Sequence, residues 1–437
     1  MSALDLERRL AALARAAPFR SRGRVTALTG LVVRAAVEGA RHGELLEIRG
    51  PGREPLLAEV VGLRDEEVLL LPLGEPRGVG LEASVVPTGR PLSVRVGAAL
   101  LGRVLDGLGR PIDGRPRPRG LAEWPVDRPA PGPLGRRRVA EPLALGVRAL
   151  DGFLTVGRGQ RLGLFAGSGV GKSTLLGQIA RQAKSDLSVV CLLGERGREV
   201  RDFLEEALGE DGLGRSVVVA ATSDAPALVR LRAAHVATAI AEWFAEVEGR
   251  EVLFLLDSLT RFARAQREVG LAAGEPPARQ GYPPSVFSAL PRLLERAGSR
   301  ARGGITAVYT VLVAGGDLEE PVADEVRGLL DGHVVLERAL AARGRFPAVD
   351  VLQSLSRLMP AVASPGHRAA AARLRALLAA FESQRDLIAL GAWRRGADTR
   401  VDEAVDRMPD LEAFLAQGTH EWSPFEETVE RLEALAR

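Results

Sequence analysis

Arg161-Leu-Gly-Leu-Phe-Ala166-Gly-Ser-Gly-Val-Gly171-Lys172-Ser173-Thr174 is the stretch on which the reading of this chain turns. An apolar strand runs into a glycine-rich turn, and the turn opens a helix through a lysine and a hydroxyl residue. Small residues let backbone N–H groups curl around oxyanions, and the helix N-terminus adds a positive partial charge. Lysine supplies a compact cation, and the serine hydroxyl can ligate magnesium. Gly167, Ser168, Gly169, Val170, Gly171, Lys172, Ser173 and Thr174 are therefore candidate contacts for the phosphates of a nucleotide, with Ser173 the candidate metal ligand. The first glycine of the phosphate-loop pattern is replaced by Ala166, which is nearly as small.

Composition agrees. The chain has only two lysines, Lys172 and Lys184, and every other basic residue is arginine. Lysine thus stands where a point-like ammonium suits phosphate better than a planar fork. The 437 residues are enough for two or three domains. The 59 basic residues are nearly offset by 56 acidic ones, so the net charge of +3 is no nucleic-acid footprint. Aromatics make up 4% of the chain, which leaves little material for stacking bases. One cysteine, Cys191, excludes an internal disulfide and suits a reducing compartment. Five scattered histidines show no metal-ligand spacing. Asp5, Glu7, Arg8 and Arg9 argue against a signal peptide, and no apolar run approaches the ~20 residues that span a bilayer. The expectation is a cytoplasmic protein that reaches a membrane through partners.

Residues 1–20 read as a loosely amphipathic docking helix or a frayed tail. Across 21–92, short β-rich runs separated by Gly, Pro and charged turns predict a small β-barrel. Within 93–360 a leading connector, rich in Pro and Arg from Arg115 to Arg138, precedes an α/β core. Near-continuous apolar runs at 160–166, 187–193, 216–221, 252–256 and 305–313 suit a mainly parallel sheet covered on both faces. Residues 361–437 are Ala-, Leu-, Arg- and Glu-rich and predict a helical C-terminal domain.

Ligands of such a sheet sit beyond the carboxyl ends of its strands. The run 187–193 ends in Gly194-Glu195-Arg196-Gly-Arg198-Glu199, and the run 252–256 ends in Asp257-Ser258. A carboxylate placed like Asp257 can hold magnesium directly or through water. Glu195 stands where a base could polarise the water that attacks a γ-phosphate. Read alone, the residue is better taken as an ion-pair partner of Arg196 or Arg198 on a solvated turn.

Further motifs carry a resemblance: Gly194-Glu-Arg-Gly-Arg-Glu-Val200, Asp257-Ser-Leu-Thr-Arg261 through Glu268, Gly274-Glu-Pro-Pro277 with Gly281-Tyr-Pro-Pro284, and Phe346-Pro-Ala-Val-Asp350 with Ser356-Arg357. Together they resemble the export ATPases of type III secretion, relatives of the catalytic subunits of rotary F/V-type ATPases. The tail Gln417-Gly-Thr-His-Glu421 resembles the injectisome branch more than the flagellar one. The resemblance implies a RecA-like ATPase core that hydrolyses ATP with Mg2+. It implies that Glu195 is the catalytic glutamate, and that Lys172, Arg196 and Arg261 lie close to the phosphates. It further implies that Phe346 stacks on adenine and that Arg357 is a finger reaching a neighbouring subunit's site. A homohexamer follows, with stalk and stator proteins and chaperone–effector complexes as partners, no nucleic acid, and the loop 268–284 facing the lumen. Two other readings stay open at this point: a hexameric helicase or transcription terminator, and a nucleotide-binding scaffold without turnover.

Overall fold

The structure is a computed structural model, and it describes residues 22–437 apart from 52, 53 and 65. The stretch 1–20, read as a docking helix or tail, lies outside the described residues.

The first unit is a closed barrel of six strands: β1 (Gly23–Thr29), β2 (Val32–Ala36), β3 (Glu44–Arg49), β4 (Leu56–Arg64), β5 (Glu67–Pro72) and β6 (Ser84–Pro91), in the order β1-β2-β5-β4-β3-β6. Closure leaves no free edge. Its interior is aliphatic, with Val25, Val33, Leu46, Ile48, Val60, Leu70 and Val85 packed together. Strand β2 is not among the runs recognised from sequence. It follows β1 through the two residues Gly30 and Leu31, and Gly30 takes the positive φ of 59° that this tight turn needs. A hairpin so short reads in sequence as one continuous segment.

The second unit begins with β7 (Ser93–Val96). It continues through β8 (Arg103–Asp106), β9 (Ala122–Pro125), β10 (Pro142–Leu143), β11 (Val156–Gly157), β12 (Arg161–Ala166), β13 (Leu187–Leu193) and β14 (Ser216–Ala221). Then come β15 (Glu251–Asp257), β16 (Gly298–Ser299), β17 (Gly304–Leu312), β18 (Gly332–Leu336) and β19 (Val349–Ser356). The main sheet has the order β19-β18-β12-β17-β15-β13-β14-β8, with β16 pairing off this path onto β17. Its strands run parallel apart from β19 and β16, which are antiparallel to their neighbours. The five central runs are buried on both faces, which is why they read as continuous apolar stretches.

The leading part of the 93–360 segment supplies more than a link. Strand β8 extends the sheet beside β14. It is anchored by a buried bidentate pair in which Arg103 Nε and Nη2 donate to Asp113 at 2.6 and 2.8 Å. That guanidinium holds the Asp113 carboxyl well below the usual carboxylate range. Strand β19 also escaped the sequence, because its burial alternates. An antiparallel edge strand needs only one covered face, so it carries no continuous apolar run.

Three helices follow: Pro365–Ala389, Thr399–Leu415 and Phe425–Leu435. Ser364 caps the first by accepting from the His367 N–H at 3.1 Å, with Pro365 at its first position. Asp398 caps the second by accepting from the Arg400 N–H at 2.9 Å. Leu374, Leu378, Met408, Leu411, Phe414 and Leu432 join one core with Leu150 and Phe153 of the helix Arg148–Phe153. The Phe153 and Phe414 rings meet edge to face at 6.1 Å. Among the described residues, no helix is long and apolar enough to cross a membrane.

Candidate nucleotide site

The phosphate loop leaves β12 and opens the helix Lys172–Gln182. Gly169 and Gly171 take φ of 77° and 86°, which side-chain-bearing residues rarely adopt. A Cβ on Gly169 would meet nothing, so its glycine is required by backbone conformation alone. Ala166 ends β12, fully buried and paired with Leu312 and Leu336. It is not among the residues of positive φ, so alanine fits where the pattern has glycine.

Three strand ends converge at the carboxyl edge of the sheet. The Lys172 ammonium pairs with Asp257 Oδ1 and lies 3.8 Å from Glu195 Oε1. Asp257 is buried, and Thr310 Oγ1 donates to its Oδ1 at 2.7 Å. Arg261 Nε and Nη2 each donate to Glu195 at 3.3 Å. Gly194 makes that approach possible, since a Cβ there would stand 2.7 Å from Arg261 Cδ.

Glu195 is 13% exposed. Burial, reinforced by the negative charge of Asp257, pushes its carboxyl up to about 7 against the opposing pull of Lys172 and Arg261. It also hydrogen-bonds Glu199. That contact holds Glu199 below its ordinary range. Glu199 in turn accepts from the Arg196 backbone N–H at 3.3 Å, which ties the turn after β13 to the helix Gly197–Asp202.

Among the other candidates, Ser173 and Thr174 are exposed and line a cleft of about 410 Å3 together with Glu199, Thr419 and His420. Phe346 is half-exposed, and its ring lies where a Cβ on Gly171 would be 3.5 Å away, so it stands against the loop. Its carbonyl accepts from the Gln417 N–H at 2.8 Å. Arg196 is not brought into the Lys172–Glu195–Asp257 cluster. Its side chain is 76% exposed and faces Glu199 at 3.7 Å. Arg357 is exposed and stands apart as well. Because β19 runs antiparallel, Ser356 pairs with Gly332, at the end of β18 remote from the phosphate loop. Arg357 therefore follows the sheet's far end.

Two contributors were not singled out from sequence. Thr310 is one, and its only signal is a hydroxyl in an apolar run. Arg148 is the other. It is buried, with Nε donating to the Phe414 carbonyl at 2.8 Å, and it also holds the Ala416 carbonyl and Glu421. The tail motif has a structural reason as well. Gln417 Oε1 accepts from the Arg148 N–H and its Nε2 donates to the Gly146 carbonyl, both at 2.8 Å. Arg181 and Gln182 of the phosphate-loop helix donate to the Thr419 and Glu421 carbonyls at 2.7 and 3.0 Å.

Comparison with known proteins agrees with this fold. The nucleotide-binding domain of the ATP synthase alpha/beta family matches residues 146–356, and its beta-barrel domain matches 25–89. The T3SS EscN ATPase C-terminal domain matches 363–434. The chain is 51% identical to the type 3 secretion system ATPase of Xanthomonas euvesicatoria, over 98% of this chain and 96% of that protein. It is 50% identical to the flagellum-specific ATP synthase of Bacillus subtilis, over 95% of each. The assembled ATPase EscN of the enteropathogenic E. coli type III secretion system superposes with a TM-score of 0.90 at 44% identity. That match covers 95% of this chain and all of EscN. EscN bound to its central stalk EscO superposes with a TM-score of 0.88. The chain thus belongs to the family of type III secretion and flagellar ATPases, on the fold of the ATP synthase alpha/beta subunits.

Proposed function

We propose that this chain is the ATP-hydrolysing motor subunit of an injectisome-type protein export system, working as a ring of identical copies at the cytoplasmic face of a membrane. The observation that carries this is the division of the catalytic set: Lys172, Glu195 and Asp257 meet at one edge of the sheet, while Arg357 follows the opposite end.

Lys172 would leave Asp257 for the β- and γ-phosphates, cradled by the backbone of Gly167–Thr174. Phe346 would stack on the adenine. The donors fit magnesium: Ser173 is exposed in the first turn of the helix, and Asp257 carries a carboxylate beside Lys172. When bound, magnesium neutralises charge growing on the transferred phosphoryl group. Glu195 orients the attacking water and takes its proton. A base near 7 is close to ideal for that work at neutral pH. Arg261 steadies Glu195, and Arg196, exposed on the turn above it, is free to swing to the phosphates. Arg357 completes the site of a neighbouring copy. Each interface then holds one full site, and hydrolysis drives release of chaperones and unfolding of exported chains. A stalk like EscO and stator proteins are the expected ring partners. Residues 22–92 contain no Phe, Tyr or Trp on which to stack bases, which counts against the helicase reading.

Phosphate release measured over a range of protein concentrations tests this. Specific activity is expected to rise as rings assemble. Arg357→Ala is expected to assemble normally and lose about 10³–10⁵ in rate. No hydrolysis at any concentration would sink the motor reading, and stimulation by RNA would favour the helicase. The flagellar branch is the second reading, favoured by the 50% identity to a flagellum-specific relative. Deletion is expected to abolish effector secretion and spare motility; loss of motility instead would select the flagellar role.

A further inference from the structure

Strand β17 carries two threonines in an otherwise apolar, buried run, and each has a defined partner. Thr306 Oγ1 accepts from the Gly159 N–H at 2.8 Å and fastens the turn before β12. Thr310 is fully buried, with Oγ1 at 2.7 Å from Asp257 Oδ1 and 3.4 Å from the Leu256 carbonyl oxygen. An ionised carboxylate only accepts, so the hydroxyl donates, at the short distance of a charge-assisted bond.

The placement is specific. Strand β17 lies between β12, which delivers the phosphate loop, and β15, which delivers Asp257. Thr310 pairs in register with Leu164, and Tyr309 with Leu256. Both partners of Asp257, Lys172 and Thr310, converge on Oδ1. Among the described residues Oδ2 makes no protein hydrogen bond, and it is not one of the buried unpartnered side-chain atoms. One oxygen is held and the other is left as an acceptor. Once a nucleotide draws Lys172 away, Thr310 is the contact that remains on Oδ1. Without it no described hydrogen bond would hold either carboxylate oxygen.

We propose that Thr310 is a positioning residue for magnesium: its hydroxyl pins Oδ1 of Asp257, so that Oδ2 is presented to the ion or its water shell. This rests on the reading of Asp257 as the magnesium-side carboxylate. Outer-shell partners of metal ligands are worth roughly 10–100-fold in metal affinity.

The test uses the full chain as wild type, Thr310→Val, Thr310→Ser and Asp257→Asn. Magnesium chloride is titrated against the fluorescence of N-methylanthraniloyl-ATP, a binding readout that needs no turnover, and melting temperatures are taken without magnesium. Thr310→Val keeps the branched shape and removes the hydroxyl. It is expected to raise the magnesium midpoint roughly 10–100-fold, and Thr310→Ser is expected to restore it. A structural role alone would move the melting temperature and leave the midpoint in place. The proposal is overturned if Thr310→Val leaves the midpoint unchanged while Asp257→Asn shifts it, or if Thr310→Ser is as impaired as Thr310→Val. If Asp257→Asn leaves the midpoint in place, the magnesium reading of Asp257 itself fails. Should Thr310→Val not fold, Thr310→Ala serves as the second variant without a hydroxyl.

Discussion

Glu195 shows how a single residue is tuned by its surroundings. Burial and Asp257 raise its carboxyl to about 7, while Lys172 and Arg261 restrain the rise. Below that value the group is protonated and cannot accept a proton from water. The expected outcome is a kcat/KM that climbs with pH through about 7 and then levels, since this ratio reports the free enzyme. Glu195→Gln is expected to lose about 10²–10⁴ in rate and that limb of the profile. The same shift has a stability consequence. A carboxyl whose folded pKa lies above its unfolded value binds more protons when folded, so nucleotide-free protein should lose stability as pH rises from about 4.5 to about 7. Glu195→Gln should flatten that slope in thermal melts, and an unchanged slope would show that Glu195 does not carry it. Gly194 belongs to this arrangement, because only a residue without Cβ lets Arg261 reach Glu195.

At the scale of elements, a few side chains join the helical segment to the α/β core. Arg148 holds the last turn of the helix Thr399–Leu415 and Glu421, while Gln417 returns the contact to Gly146 and Arg148. Removing the guanidinium strands buried carbonyl acceptors, each worth about 1–3 kcal/mol when left unpaired. Arg148→Met is therefore expected to destabilise by about 2–4 kcal/mol in urea titration. Arg148→Lys is expected to rescue little, since an ammonium cannot copy the fork. A loss below about 0.5 kcal/mol, the range of an ordinary surface change, would show the clamp to be idle. Much of the element plan is readable in sequence where burial is two-sided, as in β13 and β15. It is unreadable where burial is one-sided, as in β19, or where the strand has only four residues, as in β8.

For the whole molecule, the antiparallel turn of β19 sends Arg357 to the end of the sheet opposite Lys172. On the proposed reading, a copy that lacks Arg357 still offers an intact phosphate loop, and a copy that lacks Lys172 still offers Arg357 as a finger. Mixing Lys172→Ala with Arg357→Ala is therefore expected to restore part of the hydrolysis that each variant lacks alone. Phosphate release across a series of mixing ratios checks this. A mixture as inactive as its components, in rings shown by light scattering to be mixed, would remove Arg357 from the neighbour's site.

The sequence by itself determined the phosphate loop, because Gly169, Gly171 and Lys172 act through local backbone and charge that neighbours along the chain already specify. It also determined the two-sided strands and, through Glu195 and Asp257 at strand ends, the edge on which the proposed chemistry sits. Only the tertiary structure decided which groups share an oxygen of Asp257 and how Gln417 meets Arg148. Those contacts join residues from 53 to more than 260 positions apart, and no periodicity along a chain encodes which buried hydroxyl will face which carboxylate.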